Sequence, residues 1–201
     1  MELQVDIDDL SSKVAKHMLQ QKNVWEEYVP IVESDNGLDI YLFESVNAPA
    51  VYAEMYHKLL HLPEDKIATI HINNRGGYEQ GASTICEALR NTKAKTVGKL
   101  SGLVASAATI ITMECDDITV APDTMFMIHE SSFDNLGGKF SDMKSFQDFY
   151  NNHTRATSKA SYLGFLTEEE IERIHNGKEL WFNADEVLTR WDKRKELRNE
   201  K

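Results

Sequence analysis

Two kinds of apolar segment alternate along the middle of this chain, and the alternation limits the folds it can adopt. The strand-like runs, short and apolar, are Asp39–Phe43, Ile67–Asn73, Thr96–Leu100, Asp117–Val120 and Thr124–His129. The helix-like runs between them are Asn47–His61, Gln80–Asn91 and Ala107–Met113. Because a strand, a helix and a second strand in succession form a parallel crossover unit, the pattern predicts an α/β fold with a mainly parallel sheet.

Further helices are predicted at both ends of this alternating region. An N-terminal helix is expected over Asp9–Gln21, and the apolar residues of Asn23–Glu33 suggest a local helix that docks on the body. After the last strand-like run, a long helix is predicted over Ser141–Tyr162, and a short helix over Glu168–Ile174. The last helix is expected to begin near Asn183 and to end in a charged tail.

Composition excludes several classes of protein. A chain of 201 residues is long enough for one domain with a sizeable core, and its net charge of −11 argues against a nucleic-acid surface. No apolar run approaches the length of a membrane span, and the acidic N-terminus does not resemble a signal peptide. Cys86 and Cys115 lie in apolar helix-like runs without metal-ligand spacing, so we expect reduced core thiols, no metal site, no cofactor and a cytoplasmic setting.

Within the stretch Leu100–Thr112, the hydroxyl of Ser106 stands among small apolar residues. A strand-to-helix turn here would place Ser106 at a helix N-terminus, where free backbone N–H groups and the helix dipole favour developing negative charge. These are the requirements of a nucleophile that passes through an oxyanion. The alternative is a serine that only packs closely in an Ala-rich helix. Because Val104 and Ala108 hold the glycine positions of Gly-x-Ser-x-Gly, an α/β-hydrolase elbow is not supported.

Two more motifs favour the catalytic interpretation of Ser106. The second strand-like run ends in Ile-Asn-Asn-Arg-Gly-Gly, residues 72–77, and residues 125–130 read Met-Phe-Met-Ile-His-Glu. With Ala-Ser at residues 105–106, these motifs resemble the Clp protease family. That family has a strand into Asn-Ser-Pro-Gly-Gly, then Gly-x-Ala-Ala-Ser-Met-Gly, then Met-Ile-His-Gln. The order and the spacing agree, since Gly-Gly lies about thirty residues before the serine and the histidine twenty-three after it.

The resemblance implies a fold, a domain organisation and an assembly. The fold would be a ClpP/crotonase-like spiral of strand–helix–strand units with a protruding "handle" helix at about 141–163. Residues 1–38 would be a divergent N-terminal segment, 39–189 the ClpP-like catalytic domain and 190–201 a charged tail. Family members form stacked rings, so the resemblance implies a homo-oligomer, with a tetradecamer as the expected form, and an AAA+ unfoldase as a candidate partner. The N-terminal segment would then line an axial pore, which is the alternative to a docked helix.

The resemblance also assigns roles to individual residues. Ser106 would be the nucleophile and His129 its general base, while the N–H groups of Gly77 and Ala107 would form the oxyanion hole. Gly76 would contact substrate. From its place in the apolar run, Met127 is a further candidate for contact with substrate, with a core position as the alternative. Arg75 stands where the family has proline, which should loosen the turn and adds a positive charge beside the site.

The third member of the triad is the point where the match fails. The family has an acid after the handle, in a segment like Ile-Glu-Arg-Asp, whereas this chain continues from residue 171 as Ile-Glu-Arg-Ile-His-Asn-Gly. Anchoring on Ile171 puts Ile174 at the acid's place, and counting back from Ala184 puts His175 there. We predict His175 as the group that orients His129, with Asn176 next and with Glu172 and Glu179 as further alternatives.

Three functions follow as hypotheses. The first is a serine endopeptidase that hydrolyses extended or unfolded polypeptides inside a ring, with backbone pairing near Gly76–Gly77 on one side and near 133–138 on the other. The second is a catalytically weak or inactive ClpP-like ring subunit with a structural or regulatory role, which the altered third residue favours. The third is an acyl-CoA enzyme of the wider crotonase superfamily, which would need an acid near the acyl carbon and a nucleotide pocket; neither is evident.

Overall fold

The computed structural model describes residues 29–132 and 140–199. The predicted helix Asp9–Gln21 and the proposed substrate-pairing stretch 133–138 lie outside the described residues. The strands are β1 (Ile31–Ser34), β2 (Gly37–Val46), β3 (Ile67–Gly77), β4 (Lys95–Ala105), β5 (Asp117–Val120), β6 (Met125–Ile128) and β7 (Leu180–Phe182). The helices are α1 (Ala53–His61), α2 (Glu79–Asn91), α3 (Ala107–Met113), α4 (Phe140–Ser161), α5 (Glu168–His175) and α6 (Ala184–Asn199), and a short 3₁₀ helix, Pro49–Tyr52, precedes α1.

These strands form one sheet, which confirms the α/β prediction. Its order is β1-β2-β3-β4-β6-β7, with β5 also paired to β4. All pairings among β2 to β6 are parallel, whereas β1 and β7 are antiparallel edge strands. The crossover helices α1 and α2 and the short α3 lie between parallel strands, as the alternating pattern predicts.

β4 is longer than predicted because it pairs with two different strands in succession. Its first half, Val97–Leu100, pairs with β5, and its second half, Leu103–Ala105, pairs with β6. Between the halves, Gly102 has a φ of +58°, and the Asn73 side chain accepts a hydrogen bond of 3.2 Å from the Leu103 N–H. The glycine lets the strand change direction without ending, so β4 continues to the residue before Ser106.

The core packs the sheet against helices α1, α2 and α3 and continues to α5 and α6, whose Ile171, Val187 and Trp191 belong to the same buried cluster. Alternate residues of the central strands are fully buried, including Ile40, Ile70 and Ile72, as a half-covered strand requires. Helix α3 is buried at six of its seven positions. Cys86 and Cys115 are free and buried, and burial is the main reason that the pKa of the Cys86 thiol rises to about 12. Both thiols therefore behave as core side chains, as predicted.

The structure corrects two predictions at the ends of the sheet region. Residues 31–33, predicted as part of a helix, belong to β1, which pairs antiparallel with β2, so the sheet begins inside the segment that we assigned to the N-terminal region. The stretch from residue 190 is predicted as a charged tail, but it continues α6 to Asn199, and Trp191 and Arg194 within it are buried. The Arg194 guanidinium donates to the carbonyl oxygens of Leu163 and Met113, and this backbone pairing explains how a charge is buried there.

Candidate active site

Ser106 lies at the junction of β4 and α3 in a strained backbone conformation. Its φ is +55° and its ψ is −127°, outside the regions that non-glycine residues usually occupy. Its N–H donates to the carbonyl oxygen of Met127 on β6 at 2.9 Å. The Ser106 side chain makes no capping hydrogen bond, so its hydroxyl remains available to the cleft that it lines. The strand-to-helix turn expected from the sequence is therefore present.

A buried hydrogen-bond chain holds the carbonyl group of Ser106. The Thr109 hydroxyl donates to the Ser106 carbonyl oxygen at 2.6 Å, and it lies 2.6 Å from the Tyr162 hydroxyl. Since Thr109 has used its proton, the Tyr162 hydroxyl donates to Thr109 Oγ1. Burial raises the pKa of Tyr162, which keeps this donor protonated. Sequence reasoning missed both residues, because a threonine and a tyrosine fifty-three positions apart carry no local signal.

The glycine turn at the end of β3 packs directly onto the serine. Gly76 has a φ of +91°, and a Cβ added there would lie 2.6 Å from Ser106 Cβ and 3.0 Å from the Ala107 nitrogen. A Cβ on Gly77 would lie 2.2 Å from the Val46 carbonyl oxygen. Only glycine fits at these positions. The structure therefore brings the two predicted oxyanion donors, on Gly77 and Ala107, into neighbouring turns.

The hydrogen bonds of the turn also show where Arg75 points. The Gly76 N–H donates to the Asn74 side-chain oxygen at 2.8 Å, which fixes the turn from within. The Arg75 side chain donates to Ser45 Oγ at 2.7 Å. The charge that replaces the family's proline is therefore turned toward β2.

A cleft of about 640 Å³ contains all three predicted triad positions. Ser106, His129 and His175 line it together, although they come from three separate parts of the chain. The cleft runs between α2 and α3 on one side and α4 on the other. Met127, predicted to contact substrate, reaches Ser106 through its backbone but is not among the lining residues.

His129 follows directly after β6, which sets its side chain at the edge of the sheet beside the cleft. Within residues 29–132 and 140–199, its ring has no hydrogen bond to Ser106, to His175 or to any other group. Catalytic hydrogen bonds are often long before substrate binds. The structure thus brings the serine and the histidine into one cleft without joining them directly.

His175 is the last residue of α5, and its ring nitrogen Nε2 shares a hydrogen bond of 3.0 Å with Ser158 Oγ on α4. Burial, followed by the positive charge of Arg155, lowers the pKa of His175 below its ordinary value. A lowered pKa keeps the imidazole neutral at pH 7, so His175 can accept or donate a hydrogen bond but carries no charge there.

The other candidates for the third position point away from the cleft. Glu172 pairs with Arg155 at 3.1 Å, the Asn176 side chain donates to a backbone carbonyl of its own helix, and Glu179 accepts from the Trp181 indole. None of the three lines the cleft. Ile174 does line it but has no polar atom. Among the residues proposed for the third position, His175 is the one with a polar side chain that reaches the cleft.

With this geometry in place, comparison with known proteins identifies the family. The model of the Clp protease family matches residues 32–189. This chain belongs to the Clp protease family. Its relatives are in general serine peptidases that form oligomeric rings and work with unfoldases.

Structural comparison gives the same fold as the family match. The structure is similar to that of a point mutant of ClpP1 from Listeria monocytogenes, with a TM-score of 0.59 and 17% sequence identity. That match covers 86% of this Clp-family chain and 91% of ClpP1. No curated protein matches the sequence. Across the part of the chain that the structure describes, no helix has the length and hydropathy needed to cross a bilayer.

Proposed function

We propose that this chain is a serine endopeptidase that hydrolyses extended or unfolded polypeptides inside a ring-shaped homo-oligomer. One observation carries the proposal: Ser106 sits at a positive φ at the start of α3, against the Gly76–Gly77 turn, in the cleft that His129 also lines. Residues held in strained backbone conformations of this kind cluster at functional sites.

The proposed reaction follows from these positions. The Ser106 oxygen attacks the scissile carbonyl carbon, while His129 takes the hydroxyl proton. The carbonyl oxygen becomes an oxyanion, which the N–H groups of Gly77 and Ala107 stabilise together with the N-terminus of α3. His129 then donates its proton to the leaving amine. In the second half of the reaction His129 takes a proton from water, which attacks the acyl carbon, and it returns that proton to the Ser106 oxygen as the ester bond breaks.

His175 is proposed as the orienting group of His129. Its place in the cleft supports this role, and its hydrogen bond to Ser158 would fix its ring. A neutral imidazole stabilises the imidazolium form of His129 less than a carboxylate would. We therefore expect lower activity than in relatives that have an acid at this position.

A second candidate function is a catalytically weak or inactive ring subunit with a structural or regulatory role. The absence of a His129 hydrogen bond to Ser106 or to His175, among the described residues, favours it. The intact Ser106 turn, which a purely structural subunit does not need, favours the peptidase.

Assembly into stacked rings, with a tetradecamer as the expected form, completes the proposal. Helix α4 supports it, since most of its described side chains are exposed and two of them, Phe146 and Phe149, are 41% and 67% exposed. In the proposal α4 is the handle between rings, an AAA+ unfoldase is the partner and the location is cytoplasmic. Sedimentation at micromolar concentration tests the assembly, and a monomer would contradict it.

A fluorophosphonate probe and the Ser106→Ala variant together test the catalytic proposal. We expect the probe to label the parent, and the variant to lose labelling and to lose peptide hydrolysis by a factor of about 10⁴ or more, with an unchanged oligomer. If the parent takes up no probe and cleaves no unfolded polypeptide, the second candidate function replaces the first. If Ser106→Ala cleaves as fast as the parent, the serine mechanism is wrong.

A further inference from the structure

Glu79 joins three parts of the chain that surround the cleft. It is the first residue of α2, two positions after Gly77. Its Oε1 accepts a hydrogen bond from the Ser131 hydroxyl, and its Oε2 accepts one from the Tyr150 hydroxyl. All three side chains line the cleft that contains Ser106. One carboxylate therefore connects the glycine turn, the segment after β6 and helix α4.

Each of these parts carries a piece of the proposed active site. The glycine turn carries a predicted oxyanion donor, and Ser131 is two residues beyond His129. Tyr150 belongs to the wall of the cleft that faces Ser106. On one side of His129 the chain is held by the pairing of Ile128 with β7, and on the other side the hydrogen bond from Ser131 to Glu79 holds it.

The two hydrogen bonds have a fixed direction. Burial, followed by the hydrogen bond to Glu79, raises the pKa of Tyr150, so its hydroxyl stays a donor at neutral pH. Across residues 29–132 and 140–199, none of the ion pairs involves the Glu79 carboxylate. Hydroxyl donors therefore compensate its charge. Hydrogen bonds from hydroxyl groups to a carboxylate are stronger than those between two neutral groups.

We propose that Glu79 is a positioning residue of the active site, which holds the His129-bearing segment and α4 against the glycine turn. This inference rests on the proposed peptidase function. Glu79 acts through Ser131 and Tyr150, not by contact with substrate, so its effect should fall on kcat more than on KM.

Helix α2 supplies a matched control. Glu87, two turns along the same helix, accepts a hydrogen bond of 3.2 Å from the Tyr56 hydroxyl. This pair has the same chemistry as the pair of Glu79 and Tyr150, but neither residue lines the cleft. Loss of Glu87 therefore reports what a tyrosine–glutamate bond on α2 contributes to stability alone.

The kinetic experiment compares full-length Glu79→Ala, Glu79→Gln and Glu87→Ala. We expect Glu79→Ala to lower kcat about tenfold or more while KM changes less than about threefold. A glutamine can accept from one hydroxyl and donate to the other, so Glu79→Gln should keep kcat within about threefold of the parent. Glu87→Ala should keep the parent kcat. Parent-like kcat in Glu79→Ala, or equal losses in Glu79→Gln and Glu79→Ala, would overturn the proposal.

Hydrogen exchange tests the bridge that Glu79 forms to Ser131 and Tyr150, and it does not depend on hydrolysis. We expect peptides that cover residues 125–132 and α4 to exchange faster in Glu79→Ala than in the parent, and Glu87→Ala to leave both unchanged. An inactive parent that still shows this difference would reject the proposed function and support the bridge. Equal exchange in Glu79→Ala and the parent would overturn the bridge whether or not the protein is active.

Discussion

The nucleophile region and the region after α4 hold their site residues in different ways. Around Ser106, strands β3 and β4 and helices α2 and α3 pack with nearly all facing side chains buried, and backbone groups make the closest contacts. Around His175, only Ile171 and Ile174 of α5 are buried, and side-chain hydrogen bonds and ion pairs make the contacts.

This difference decides how each region tolerates change. A backbone contact in a close-packed core has no alternative arrangement, so a single added methyl group must displace a neighbour. A side-chain contact on a half-exposed helix can be replaced by water or by another rotamer. We therefore expect substitutions near Ser106 to have large effects on activity and stability at any pH, and substitutions near His175 to have smaller effects that depend on pH.

Gly76→Ala should show the largest effect after loss of the nucleophile itself. The new Cβ would meet Ser106 Cβ at 2.6 Å and the Ala105 carbonyl oxygen at 2.8 Å, at a φ of +91°. We expect activity to fall by about 100-fold and the free energy of unfolding by about 3 kcal/mol. Activity assays and urea unfolding would measure the two losses.

Gly177→Ala is the control from the other region. Gly177 also has a positive φ, +76°, but no described atom lies within 4 Å of a Cβ built there. It should cost about 1 kcal/mol of stability through backbone strain and leave activity unchanged. Equal losses of activity in the two alanine variants would contradict the distinction between the regions.

Thr109→Val tests the buried chain that holds the Ser106 carbonyl. Valine keeps the volume but leaves the Tyr162 hydroxyl without its Thr109 acceptor, so we expect about 2 kcal/mol of destabilisation and about tenfold lower kcat. Thr112→Val is the matched control, since the Thr112 hydroxyl is equally buried but donates only to its own helix at Ala108.

A double-mutant cycle tests whether the hydroxyls of Thr109 and Tyr162 act as one hydrogen-bond chain. If Tyr162→Phe removes most of the added cost of Thr109→Val, the two hydroxyls act together. If Thr112→Val lowers kcat as much as Thr109→Val, the effect belongs to the helix in general and not to the Ser106 carbonyl.

The sequence predicts the nucleophile region better than the region after α4. Backbone pairing positions the first region, and remote side-chain contacts position the second. Strand-like and helix-like patterns fix the order of parallel strands, and that order alone brings the ends of β3, β4 and β6 to one edge with Gly76, Ser106 and His129. The α/β fold is confirmed, although the extension of β4 past Leu100 was missed because Gly102 interrupts the β-branched pattern.

The contacts after α4 depend on long side chains whose partners are remote in sequence. Arg194 reads as part of a charged tail, and its burial depends on carbonyl groups at Leu163 and Met113. The bonds of Glu79 to Ser131 and Tyr150, which link the nucleophile region to α4, also join residues that are remote in sequence. A single sequence contains no periodic signal for such pairs, and the assignment of His175 as the orienting group stays a prediction.

Glu170→Gln tests what stabilises the region after α4. Glu170 forms an ion pair of 2.7 Å with Arg190 and closes the capping box of α5 with Thr167. The Arg190 hydrogen bond is the main cause that lowers the pKa of Glu170 to about 2. We expect the variant to lose about 2 kcal/mol of stability at pH 7 and to keep parent activity.

The pH dependence of this contribution has a definite sign. Between the unfolded value near 4.5 and the folded value of about 2, the unfolded state binds more protons, so the parent loses this stabilisation as pH falls through that window. The difference between parent and Glu170→Gln in urea midpoint should therefore shrink from pH 7 to pH 3. Glu168→Gln, which breaks an exposed pair with Lys159, should change little at either pH.

Substitution of His175 should have the smallest effect on kcat among the site residues, and it tests the contrast between the two regions most directly. Its hydrogen bond to Ser158 and its proposed support of His129 both involve neutral groups, which are worth about 1 kcal/mol each. His175→Ala should therefore lower kcat about fivefold, and His175→Asp should preserve or raise it, because a carboxylate stabilises the His129 imidazolium better. His153→Ala, which changes another histidine of the same cleft, is the control and should leave kcat unchanged.

The stability of His175 variants has its own pH signature. Since burial lowers the folded pKa of His175 below the unfolded value near 6.5, the unfolded state binds more protons once the pH falls below that value. The parent is therefore destabilised as the pH falls through about 6.5, and His175→Ala should remove that part of the loss. If His175→Ala keeps both the parent kcat and the parent pH dependence of stability, His175 neither orients His129 nor is buried neutral, and the nucleophile region would have to work without a partner from α5.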